Sequence, residues 1–278
     1  MLWTKTAQRP ERPGIVVPMP VMVRTRFTTN GDTRIHYLDS GGPDRGAPVV
    51  FVPGMTDLAH DYTTIMPLLL RRTVVMELRG HGRSDAPESG HDLAALASDV
   101  GAVVDAVTDG PVHIMTFSRS TTYAIAWAVE HPDRVRSISI GDYVPAEIVL
   151  PETHARRLLD GRWRGTPVRE RLNYDAALKT FSAAQGRSFW EPLSRLQRPL
   201  LVVRSPSSPL VDDDAWARYN RLFPDAQLHE FHDSPARHLS ARPRPIPKAC
   251  PRPHKSLNHW PNMRNQRLSA PSLDGDTN

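Results

Sequence analysis

One stretch of the chain has the residue types and spacing for nucleophilic chemistry. Val112–Arg119 reads VHIMTFSR. Its apolar, β-branched run predicts a strand ending at Thr116. Ser118 follows almost at once, and a helix rich in small residues (Ala124, Ala126, Ala128) begins directly after it. A strand, a sharp turn with serine at its apex and a helix hold a hydroxyl clear of a sheet. The same geometry sets the next backbone N–H, that of Arg119, at a helix N-terminus, where a developing oxyanion finds a donor. The ordinary alternative is that Ser118 simply caps the helix.

Such a serine needs a rigid scaffold, and the surrounding pattern supplies one. The runs Pro48–Pro53, Thr73–Leu78, Val112–Thr116, Val135–Ile140 and Pro199–Val203 are apolar nearly throughout. That is the pattern of parallel strands covered on both faces. Val21–Thr28 and Arg34–Asp39 alternate more and are joined through Asn30-Gly31, a hairpin signal. Helices are predicted over His60–Leu70, His91–Thr108, Arg119–Glu130 and Asp213–Leu222, with a last strand at Gln227–Phe231. Strand and helix alternating in this way predict a three-layer α/β fold. From about residue 144 to 198 the pattern breaks into short polar-helical pieces with no good strand. An insertion there is where a lid sits. Trp163, Phe181, Phe189 and Trp190 either line a pocket under it or anchor it to the core.

Composition narrows the classes. The 278 residues are 39% hydrophobic and include one cysteine, Cys250, which excludes an internal disulfide framework and a multi-cysteine metal site. No apolar run approaches the roughly 20 residues of a membrane span, and the first residues lack a secretory apolar core. The expectation is a soluble, cytoplasmic protein. The net charge of +5 is unevenly spread. From Pro235 onward eight Lys/Arg stand against Asp274 and Asp276, a net +6, which leaves residues 1–234 at −1. That tail also holds eight of the 27 prolines and reads as disordered. With a neutral globular part and no interleaved aromatics in the tail, nucleic-acid binding is the least favoured function.

With these motifs in order, the chain resembles the α/β-hydrolase superfamily over about residues 20–232. Three matches carry the resemblance: Phe51-Val52-Pro53-Gly54-Met55 after a strand, Leu78-Arg79-Gly80-His81-Gly82-Arg83-Ser84-Asp85, and the elbow Thr116-Phe117-Ser118-Arg119-Ser120. The resemblance implies a three-layer fold with a mostly parallel central sheet and a small helical lid. It divides the chain into an extension (1–19), a hydrolase domain (20–240, lid about 144–198) and a Pro/Arg-rich tail (241–278). Ser118 is then the nucleophile, and the N–H groups of Met55 and Arg119 form the oxyanion hole. The elbow departs from the family's Gly-x-Ser-x-Gly, having Thr116 and Ser120 where the glycines stand. Glycine avoids a Cβ clash in that strained turn, so a distorted elbow is one expectation. A serine at the apex also argues against the dehalogenase and epoxide-hydrolase branches, which use aspartate there.

The acid has two candidates. After Leu200–Arg204, the usual position, the first carboxylate is Asp212, whereas Asp142 directly follows Val135–Ile140 and is preferred. The base is His238, because His232 follows the last strand too closely. His36, His81, His113 and His131 are explained by strands, the turn motif and a helix end. One permitted coding string for Ala236–Pro243, read from its second base, gives His-Asp-Ile-Phe-Arg-Pro-Asp, which resembles the family's histidine loop. A shifted reading frame would account for the basic, proline-rich tail together with its cysteine. The resulting expectation is a serine-dependent hydrolase of esters or related acyl compounds, acting on a small-molecule substrate without cofactor or metal. The alternative is a catalytically impaired hydrolase-fold protein that binds a small molecule at most.

Overall fold

The computed structural model describes residues 22–42, 46–206 and 208–231. The extension 1–19 and the tail 241–278, with His232 and His238, lie outside the described residues. Ten strands and six α-helices occur in the order β1 (Arg24–Asn30), β2 (Thr33–Asp39), β3 (Val49–Val52), β4 (Thr73–Met76), α1 (Leu93–Val107), β5 (Val112–Phe117), α2 (Ser120–Glu130), β6 (Val135–Gly141), α3 (Glu152–Leu159), β7 (Arg162–Trp163), β8 (Thr166–Pro167), α4 (Tyr174–Ser182), α5 (Trp190–Arg195), β9 (Leu200–Arg204), α6 (Asp213–Leu222) and β10 (Gln227–Glu230). Eight strands form one sheet in the order β1-β2-β4-β3-β5-β6-β9-β10. β1, β2 and β4 pair antiparallel, and β4, β3, β5, β6, β9 and β10 run parallel. This is the α/β-hydrolase architecture, with a mostly parallel central sheet.

The near-continuous apolar runs of the central strands follow from burial on both faces. Val50, Val52, Val74, Met76, Ile114 and Ile140 belong to a core shared with α1 and α2 through Leu96, Val100, Val104 and Trp127. The alternate residues Phe51, Val75 and Phe117 point into a second cluster with Tyr62 and Met66. The two clusters correspond to the two faces that a period of two defines. In the first hairpin Asn30 pairs with Thr33, so the two-residue turn is Gly31-Asp32, with Gly31 at φ +58°.

Two predicted elements are corrected. The helix expected over His60–Leu70 is two short 3-10 turns, Ala59–Tyr62 and Met66–Leu69. Pro67 lies inside the predicted span; it has no N–H to donate and its ring clashes with the preceding turn, so a continuous α-helix cannot form. The stretch 144–198 does contain strands, the minimal hairpin β7–β8, closed by Arg164 at φ +51° and Gly165 at φ +85°. Its three helices connect β6 to β9, which are neighbours in the sheet. Among the described residues no helix is long and apolar enough to cross a membrane.

Candidate active site

The parallel strands carry their loops at their C-terminal ends, where α/β sheets bind ligands. Three of those ends meet. Val52 of β3 pairs with Thr116 of β5, and Phe117 of β5 pairs with Gly141 of β6. Ser118 and Asp142, each one residue further on, therefore stand level on adjacent strands, and Gly54-Met55 stands beside them after β3.

Ser118 occupies the left-handed region at φ +58°, costly for a residue with a Cβ and stable only when its surroundings over-determine it. Its N–H donates to Gly141 O (2.8 Å), and its carbonyl accepts from Thr121 N (3.0 Å). The flanking positions are accommodated by hydrogen bonds. Ser120, fully buried, donates to Val52 O (2.7 Å) and also reaches Phe117 O (2.9 Å). Thr116 Oγ1 lies 2.9 Å from Thr121 Oγ1 and donates to Ser139 O at 3.2 Å. The turn forms without its glycines because each hydroxyl finds partners within the bend and on the neighbouring strands β3 and β6. The Arg119 N–H stands at the start of α2, since Arg119 immediately precedes Ser120.

The Gly54–Asp57 loop is braced from both sides. Gly54 N donates to Asp57 Oδ2 (3.1 Å), and Asp57 N donates to Gly54 O (3.0 Å). A Cβ on Gly54 would stand 2.8 Å from that carboxylate, 3.3 Å from the Phe117 ring and 3.4 Å from Ser118 Cβ. Glycine is required here by close approach. From the stretch between β6 and β9, Trp163 Nε1 donates to Asp57 Oδ1 (2.6 Å) and Arg171 Nε donates to Thr56 O (2.8 Å). Arg171 also pairs with Asp61. Burial pushes the Asp57 carboxyl up, against the hydrogen bond from Trp163.

From the other side the RGHGRSD turn supports the same loop. His81 Nε2 lies 2.7 Å from Met55 O and its Nδ1 lies 3.0 Å from Arg79 O. Arg79 makes a bidentate pair with Asp99 of α1, both contacts at 2.6 Å. Glu77 collects His36 Nδ1 (2.7 Å), Arg83 N (2.7 Å) and Ala59 N (3.2 Å). Burial, the largest single influence, would raise its carboxyl, but the bonds from His36, Arg83 and Ala59 together outweigh it and the group is held below its ordinary value. Gly82, at φ +51°, passes so close that a Cβ would stand 2.2 Å from the Glu77 carboxylate.

Asp142 is buried, with φ +53°. Its N–H donates to Val203 O (2.7 Å), and its Oδ1 accepts from Ser205 N (3.3 Å). Asp212 has a local role, accepting from Ala215 N at 2.9 Å as the N-cap of α6. None of the described histidines hydrogen-bonds Ser118. His36 and His81 are occupied as above, His113 faces Ser137, and His131 stacks on Trp127.

Asp57 and Glu77 went unread in the sequence. The three-residue return from Asp57 to Gly54 is a local signal, but the bond from Trp163 spans 106 residues and has none. For the insertion's aromatics, anchoring accounts for Trp163 on Asp57 and for Trp190, whose ring lies 4.6 Å from Tyr219 of α6.

A mostly parallel sheet, a serine on a left-handed turn after β5 and a glycine loop after β3 define a class, that of the α/β-hydrolase fold. Residues 47–165 match the model of the α/β-hydrolase fold family. A non-heme chloroperoxidase from Streptomyces lividans is 37% identical over 131 residues, 46% of this chain and 47% of that protein. The match thus spans about half of that relative's length. 2-(Acetamidomethylene)succinate hydrolase from Mesorhizobium japonicum is 28% identical over 216 residues, covering 65% of this chain and 78% of the relative. A solved structure of E-2-(acetamidomethylene)succinate hydrolase superposes with a TM-score of 0.62 at 20% identity, over 78% of this chain and 94% of that one.

Proposed function

We propose that the protein is a serine-dependent hydrolase of esters or related acyl compounds, a cytoplasmic enzyme acting on a small molecule through an acyl-enzyme. The observation that carries this is Ser118 at φ +58° between β5 and α2, level with Asp142 and against Gly54. Ser118 Oγ attacks the acyl carbon as its proton passes to the His238 imidazole, which Asp142 orients. The oxyanion accepts the N–H groups of Met55 and Arg119. Collapse expels the alcohol, which takes the proton from the imidazole, and water then releases the acid by the reverse sequence. The chemistry needs no metal or organic cofactor. A fluorophosphonate probe should label the protein, and Ser118→Ala should abolish labelling and lower ester turnover by about 10⁴-fold or more. Labelling that survives removes Ser118 from this role.

One observation favours a second reading, a catalytically impaired binder of a small molecule. Ser118 has no histidine partner among the described residues, and one permitted coding string for Ala236–Pro243 reads as a histidine loop in another frame. Shifting the reading frame from about residue 235 should then raise kcat/KM by about 10²-fold or more, because a serine hydroxyl is a weak nucleophile without a well-placed base. Equal kcat/KM for the two forms, with His238→Ala silencing the original, would retire that reading.

A further inference from the structure

Arg119 is assigned above only a backbone role, yet its side chain is the unusual feature of this rim. The residue directly follows Ser118 and is 4% exposed. Its guanidinium is held by three groups from three elements. Nε donates to Tyr123 Oη of α2 (3.1 Å), Nη1 donates to Ile148 O in the stretch after β6 (2.6 Å), and the group lies 4.9 Å from the centre of the Phe181 ring of α4. Tyr123 Oη in turn donates to Met55 Sδ (3.9 Å), which ties this cluster to the loop carrying the other oxyanion donor. Nη2 is buried and has no hydrogen-bond partner.

The guanidinium also makes no ion pair with a carboxylate among the described residues, although Glu147 lies near enough to favour its charge against the cost of burial. The nearby Glu147 instead accepts from Gln185 N (2.8 Å). The phenols around it do not substitute: burial pushes Tyr143 up to about 12 and pushes Tyr123 up as well, so both are neutral near pH 7. A buried donor without an acceptor is costly, and chains keep one where something compensates it. A planar guanidinium with a free donor edge matches a carboxylate.

We propose that Arg119 receives a carboxylate of the ligand, so that the site takes acyl compounds bearing a second, anionic end. This rests on the hydrolase reading only in placing the scissile group at Ser118. A carboxylate on an ester held at Ser118 would then give Nη2 of the next residue the acceptor it lacks.

The test is made on binding, so that it stands apart from turnover. In the full chain carrying Ser118→Ala, calorimetric titration with monomethyl succinate and with dimethyl succinate should show the charged ester binding about tenfold or more tightly. Adding Arg119→Gln should bring the ratio to about one, and Arg119→Lys should keep part of it, with thermal melts confirming that each variant folds. If Arg119→Gln does not fold, the Arg119→Lys ratio decides: it must fall below that of the arginine form. Equal affinity for the two esters in the Ser118→Ala protein, or a ratio unchanged by either Arg119 variant, overturns the proposal. Loss of fluorophosphonate labelling in the parent protein would instead strike the acyl-enzyme reading and leave this ratio standing.

Discussion

The centre of the sheet and its late edge hold their residues by different means. At the centre, β3, β5 and β6 end in buried loops, and two non-glycine residues, Ser118 and Asp142, sit at φ +58° and +53°. Each such conformation costs about 1–3 kcal/mol and persists only where the neighbours leave no alternative. Here those neighbours are the hydrogen bonds to Gly141 and Val203 and the packing of two apolar clusters. At the edge, β10 has one strand neighbour and its residues alternate exposed and half-buried. Its helix α6 begins with an ordinary cap at Asp212. Strain of the kind that aims a reactive side chain is stored at the centre, and the edge offers conventional, low-strain geometry. That contrast favours Asp142 over Asp212 as the orienting acid.

The comparison breaks most visibly in the acid itself. Asn tolerates the left-handed region almost as well as Asp, and its Oδ1 still accepts from Ser205. Asp142→Asn should therefore keep the fold and lower kcat on a short-chain nitrophenyl ester by about 10⁴-fold, through loss of the orienting charge. Asp212→Asn should leave kcat unchanged and cost a few tenths to about 1 kcal/mol of stability as a weaker cap. The reverse ranking moves the acid to the edge.

A smaller effect tests how closely the central loops are packed. Gly54→Ala drives a Cβ toward Asp57 and Ser118. A misplacement of about 1 Å at the proposed oxyanion donors should lower kcat by about 10²-fold with KM little changed. Steady-state kinetics that leave kcat intact would show the loop to be adaptable.

The smallest effect is on stability against pH. The Glu77 carboxyl is held below its ordinary value of 4.5 in the fold. Its contribution is therefore present above that value and is lost as pH falls through the lower, folded value. Glu77→Gln should destabilise the protein by about 1–3 kcal/mol at pH 7, and the deficit should shrink below about pH 4. Thermal melts at the two pH values measure it, and a deficit that is the same at both would remove Glu77 as an ionised hub.

Much of this architecture was legible because its signals are local. An apolar run, a serine and a run of small residues announce the β5–Ser118–α2 turn, and the RGHGRSD sequence announces the loop that buttresses Met55. The three-layer α/β class followed from alternation of apolar and helical stretches. The misread span at His60–Leu70 was local too: Pro67 outweighed an otherwise helical pattern. The minimal β7–β8 hairpin escaped because two-residue strands carry no periodicity.

What only the tertiary structure decided concerns residues whose partners are far away in the chain. Asp57 meets Trp163 across 106 positions, and Arg79 meets Asp99 on a separate helix. No spacing rule predicts either, because the first depends on how the β6–β9 connection folds back over the rim and the second on how α1 packs beside the loop after β4. The same holds for Arg119. The sequence by itself determined that its N–H would stand at a helix start beside a serine, a consequence of backbone geometry over a few residues. That its side chain would be buried, held by Tyr123 and Ile148 and left with an unpartnered Nη2 was decided by packing between elements, since burial and hydrogen bonding depend on every group that surrounds a side chain in space.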